Sequence, residues 1–185
     1  MKLCIYLIVL LNPFLNVDFK RDIWTYPKVI LVADLIVDGK ISKVSKNQYE
    51  FTITQFVKGK SIPKINVIIF EDWTCDRRIE KPKIGQKLIL FLKKNKVHNY
   101  EIVNQSTGEL FIQKDNSVNT FMREKLSDAA VLKTGVKMFL ETYTLKGHEF
   151  YYSKKKSSSV ISTMKKENKF FKFLVDEELK YYTVR

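Results

Sequence analysis

Between Val29 and Gln113 the apolar and polar positions follow the period of a strand. In Tyr49–Val57, residues Tyr49, Phe51, Ile53 and Val57 fall on one side, and Glu50, Thr52 and Thr54 on the other. Such alternation marks a strand with one buried face. Val29–Val37 is an apolar run that ends at Asp38-Gly39, where a bend is predicted, and Ile41–Val44 continues it. Ile65–Phe70 reads as a third strand. In Lys87–Leu92 the unbroken run from Leu88 predicts a strand buried on both faces. Tyr100–Val103 and Leu110–Ile112 are weaker strands around Ser106-Thr107-Gly108. Turns are expected at Lys46-Asn47, Lys58-Gly59-Lys60 and Ile84-Gly85. Five or six short strands at this spacing predict a small barrel or sandwich, assigned here to residues 18–121.

From Met122 the period changes. Ala129, Leu132, Val136, Phe139, Leu140 and Tyr143 lie on one face of a helix, with Ser127 or Asp128 as its N-cap. A packing helix is expected within 122–145, lying across the barrel. Gly135 inside it costs about 1 kcal/mol relative to Ala, so the helix needs packing to hold. Residues 146–169 hold Lys154-Lys155-Lys156, Ser157-Ser158-Ser159 and Lys165-Lys166, the composition of a basic, flexible connector. Residues 170–185 turn apolar and aromatic again. A short helix there places Phe170, Phe173 and Leu174 on one face, and a strand is the alternative.

The first 17 residues have a pattern of their own. Lys2 precedes the apolar run Leu3–Leu11, which contains Ile5, Leu7 and Leu10 and is interrupted at Asn12-Pro13. One positive charge and a short apolar stretch resemble the start of a secretory signal peptide, although no small-x-small cleavage site follows. The run is shorter than the ~20 apolar residues of a membrane-spanning helix. Export to the periplasm, the outer surface or the medium is the expectation. A buried first strand in a cytoplasmic chain, or an uncleaved anchor, are the alternatives. Cys4 leaves with such a peptide, so Cys75 has no internal partner, and no Cys-x-x-Cys metal pair exists.

Lys and Arg outnumber Asp and Glu by 33 to 20, a formal net charge of +13. A basic balance raises the question of nucleic acid or an anionic surface. Lys supplies 28 of the 33 basic residues, however, and Arg is the side chain of bidentate base and phosphate readout. A solvated basic surface is therefore expected, with nucleic acid as the lesser alternative. Catalytic motifs are absent: no G-x-S-x-G, no H-E-x-x-H, no Gly-rich phosphate loop. The chain is read as a non-enzyme with no cofactor and no metal site. The densest local cluster is Phe70–Arg78, which contains Trp73, Arg77 and Arg78. Trp and Arg concentrate at binding hot spots, which makes these three the candidate partner-binding loop. In the plainer reading, Trp73 covers the barrel end and the arginines pair with Glu71, Asp72, Asp76 or Glu80. Trp24 and Tyr26 are read as packing anchors.

The stretch Val32–Lys94 resembles a known family. Ala33-Asp34-Leu35-Ile36-Val37-Asp38-Gly39-Lys40-Ile41 is similar to the first strand of netrin-like domains. Phe51–Phe56 followed by Val57-Lys58-Gly59-Lys60 is similar to their second, Ile65-Asn66-Val67 to their third, and Ile84–Leu92 to their fourth. The order and spacing of these pieces carry the resemblance. It implies an antiparallel OB-type barrel of five to six strands, shared with tissue inhibitors of metalloproteinases and with bacterial envelope proteins. Those inhibitors chelate the protease zinc through an N-terminal cysteine. Here Cys4 lies in the signal-like run and Cys75 is internal, so that activity is not carried over. The expectation is an exported domain that binds an unknown protein or envelope component. The alternatives are a single-stranded nucleic-acid-binding OB protein and a small hydrolase with an unrecognised site.

Overall fold

A computed structural model of the chain describes residues 23–73, 76–95, 99–121, 123–147, 149–152 and 156–182. The signal-like run with Lys2, Leu3, Cys4, Ile5, Leu7 and Leu10 lies outside the described residues, as do Cys75 and both histidines. No helix among the described residues is long and apolar enough to cross a membrane.

Five strands close a barrel: β1 (Leu35–Val44), β2 (Gln48–Lys58), β3 (Lys64–Ile68), β4 (Lys87–Lys94) and β5 (Tyr100–Ile102). Their order is β1-β2-β3-β5-β4, and β4 returns to β1 through Leu35↔Leu92 to Lys40↔Lys87. All pairings are antiparallel except β3–β5, which meets in parallel at Val67↔Tyr100. This is the OB-type arrangement. Strand β6 (Glu109–Ile112) takes the remaining edge of β4 beside β5, and β7 (Ser117–Thr120) and β8 (Arg123–Asp128) continue the sheet beyond it.

β1 and β4 separate two cores. Inside the barrel lie Leu35, Val37, Ile41, Tyr49, Phe51, Ile65, Val67, Leu88, Leu90, Leu92 and Phe111. Outside it, Ile36, Ile89, Phe91 and Leu110 pack against the helices. The unbroken run of β4 is thus buried on both faces, as expected. Ile53 is only half-buried, and Val57 packs against the outer core. The pairing of β1 with β2 slips between Val37 and Ile36 and between Gly39 and Asp38, leaving extra residues on β2. Each such bulge resets the two-residue alternation.

Three stretches depart from the sequence reading. Val29–Val32, expected as the start of a strand, belongs to helix α1 (Tyr26–Val32), with Pro27 in its first turn and Ala33 already extended. A short run that is apolar all round fits a buried helix as well as a strand. Residues 123–128 form β8, so the packing helix, α2, begins only at Ala129 and ends at Thr142. Asp128 caps it, accepting the N–H groups of Ala130 at 2.8 Å and Val131 at 3.4 Å. Leu132, Val136 and Phe139 are buried and Leu140 is half-buried. Thirdly, Tyr143, expected on the helix face, opens the strand β9 (Tyr143–Lys146), which pairs with β10 (Glu149–Tyr152) of the expected connector, and that connector also contains helix α3 (Ser158–Glu167). Ser157 caps α3, and Ile161 and Met164 bury one turn apart beneath its lysines. The C-terminal segment takes the helical form expected of it: α4 (Lys169–Phe173) runs into wider and tighter turns through Tyr181, burying Phe170, Phe171 and Leu174.

Gly135 explains how this layer packs. A Cβ there would stand 2.7 Å from Asn168 Oδ1 and 2.9 Å from the Phe171 nitrogen. Asn168 sits at the contact, donating to the Val131 carbonyl at 2.9 Å and accepting the Phe171 N–H at 2.8 Å. The glycine that weakens α2 lets α4 approach its backbone. Tyr26 is buried edge-on against Phe170 and Phe173, the anchoring role expected of it.

Candidate functional site

The connection from β3 to β4, residues 69–86, folds over one end of the barrel. Its root is fixed by three side chains from different elements. Glu109, the first residue of β6, has the same parity as Phe111 and therefore faces the barrel interior. Tyr49 on β2 donates its hydroxyl to Glu109 Oε1 at 3.0 Å. Arg78 reaches in from the loop and grips both carboxylate oxygens, Nε to Oε2 at 2.7 Å and Nη2 to Oε1 at 2.6 Å. The Arg78 and Glu109 side chains are 4% and 2% exposed. The guanidinium lies over the rings of Phe70, at 4.4 Å, and Tyr49, at 5.8 Å.

Burial pushes the Glu109 carboxyl above its ordinary range, against the opposing pull of Arg78. Burial, and next the neighbouring Glu109 carboxylate, hold the Tyr49 phenol well above the usual tyrosine value. Two further bonds tie the loop down. The Arg78 N–H donates to Asp72 Oδ1 at 3.0 Å, and buried Asp76 accepts the Ser106 N–H at 3.2 Å.

Above this root Trp73 and Asp76 close on one another, exchanging backbone hydrogen bonds of 3.0 and 3.1 Å as an isolated bridge. Trp73 stands 46% exposed at its edge and Arg77 is exposed beside it. Of the three sequence candidates, two therefore face solvent and Arg78 is buried. Its partner is Glu109, thirty-one residues away, rather than a carboxylate of its own loop. Glu80 pairs with Lys83 instead. Sequence reasoning missed Glu109, although its parity with Phe111 marks it as a charge at an inward position.

The site's chemistry is that of a clamp. The buried carboxylate is bonded by both the phenol and the guanidinium, which uses Nε and Nη2 and leaves Nη1 buried without a hydrogen-bond partner, and solvent scarcely reaches the three groups. Among the described residues, no three His, Cys, Asp or Glu gather into a metal-ligand set. A single-strand-binding OB barrel stacks bases on aromatics, and of those on β2 Tyr49 and Phe51 are fully buried while Phe56 is exposed. No protein-family model matches the chain, and no curated protein is a significant match to it.

Proposed function

We propose that this chain is an exported, non-enzymatic binding domain that engages a protein or envelope component through the loop bearing Trp73 and Arg77. One observation carries the reading: an exposed Trp and an exposed Arg sit on a bridged loop rooted in the Arg78–Glu109 clamp. A loop held in one conformation before binding loses little freedom on association. Trp and Arg supply large contact area and directed hydrogen bonds. The sealed state of the clamp favours binding over catalysis. The burial of Tyr49 and Phe51 removes the stacked aromatics on which OB proteins hold single strands. Export rests on the signal-like pattern of the first 17 residues.

The test places a photo-crosslinking amino acid at Trp73 or, on the β3 face, at Asn66, in cells expressing the C-terminally tagged chain. A discrete protein adduct outside the cytoplasm from position 73, lost with Arg77→Ala and absent from position 66, is expected. Adducts to nucleic acid, or equal adducts from both positions, overturn the reading. Intact mass of the product tests export separately, by loss of the signal-like residues.

A further inference from the structure

A cleft of about 450 Å³ opens where the N-terminal end of α2 meets β1 and β4, away from the Trp73 loop. Such a volume is within the range of small-molecule sites, about 300–1,000 Å³. Its charges are unevenly matched. Lys133 of α2 enters the cleft and is held by Asp38 of β1. Asp128 is engaged by the amides of Ala130 and Val131, and the Ala129 amide by the Asn116 carbonyl, so the helix end offers no spare donors there. Lys40 and Lys87 are different. They are direct cross-strand partners on β1 and β4, both exposed, and neither forms an ion pair among the described residues. Like charges placed directly opposite destabilise a sheet. A second cleft of about 250 Å³ shares Lys87 and Ile112 with the first and adds Lys114, which also lacks an ion pair among the described residues. No aromatic ring lines the larger cleft.

From this geometry we propose a binding site for a small molecule carrying two linked phosphates. One phosphate lies between Lys40 and Lys87, with Lys133 behind them, and the second lies toward Lys114. Lysine ammonium groups bind phosphate as point charges. An anion between Lys40 and Lys87 removes their mutual repulsion. The two clefts share Lys87 and Ile112 in their walls, which suits two linked anionic groups, and the larger cleft has no aromatic ring to stack on, so recognition there falls to charge. Of the carboxylates lining the two clefts, Asp38 is paired with Lys133 and Glu80 with Lys83, while Asp128 keeps its charge and is turned to the amides of Ala130 and Val131.

Isothermal titration of the 185-residue chain with inorganic pyrophosphate and with orthophosphate, at low salt, tests the site. Pyrophosphate is expected to bind at least about ten-fold more tightly, the worth of one additional charged hydrogen bond. The K40Q/K87Q double variant is expected to lose about ten-fold of that affinity or more. Both lysines are exposed, so the variant keeps the fold, and far-UV circular dichroism verifies it. K60Q/K172Q removes the same charge from exposed positions outside the cleft and should bind as the parent does. Equal affinity for the two anions, or equal losses in the two double variants, overturns the proposal, because both are signs of a merely basic surface.

Discussion

The barrel end over Glu109 and the cleft beneath α2 both gather charge, and they treat it in opposite ways. At the barrel end one carboxylate meets one guanidinium, in two short bonds, inside the barrel. In the cleft Lys40 faces Lys87, and neither is in an ion pair among the described residues. A buried charge left unmatched is expensive, so the interior completes its pairs. A like-charge pair at the surface costs little in water, and can be kept for a ligand to complete. The first arrangement builds the molecule, and the second leaves an interaction open.

The largest effect should come from halving the buried pair. Glu109→Gln or Arg78→Met leaves a charged partner in the interior and is expected to cost about 3–5 kcal/mol. The double variant Arg78→Met/Glu109→Leu should recover much of that loss, since an apolar replacement of a whole buried pair is often neutral. Urea unfolding of the three variants measures this. If the singles lose less than about 1 kcal/mol, the pair behaves as an exposed salt bridge and the contrast with the cleft fails.

A smaller effect appears in alkali. The Tyr49 phenol is raised above its ordinary value of 10.0. The unfolded chain therefore releases this proton before the folded one does. The proton's contribution to stability is complete below pH 10 and is lost as pH rises toward the folded value. The slope is at most about 1.4 kcal/mol per pH unit. Tyr49→Phe should abolish this part of the alkaline loss, leaving the difference between parent and variant flat up to pH 10 and falling above it. A difference that stays flat through pH 11 would mean that the hydroxyl is solvated.

What was legible in the sequence follows the same division. The barrel strands announce themselves because β2 alternates apolar and polar residues against one interior and β4 is an unbroken apolar run between two cores. Trp73 and Arg77 were legible as a composition anomaly in a loop. The Arg78–Glu109 pair was not, since its partners are joined only by the closure of β4 onto β6. Gly135 read as a weakness in α2 because nothing in its neighbourhood signals that Asn168 and Phe171 will lie against it. β8 and α3 were missed because their polar and lysine-rich surfaces outweigh the few apolar residues each of them buries.

The smallest effect is the most discriminating for the cleft. In the absence of any anion, Lys87→Gln should raise stability by a few tenths of a kcal/mol, because it relieves the repulsion from Lys40 across the β1–β4 ladder. Lys93→Gln on the same strand is the reference, since Lys93 pairs with Glu101 of β5 in register rather than with a lysine, and its loss should lower stability slightly. Salt adds a second handle. At 1 M ionic strength the screening length falls to about 3 Å, and the gain from Lys87→Gln should shrink toward zero. Pyrophosphate should reverse the order altogether, because it stabilises the parent in proportion to its binding and leaves the variant nearly where it was. Lys87→Gln less stable than the parent in anion-free buffer would show that Lys40 and Lys87 do not repel one another, and the cleft would then lose its claim to an open charge.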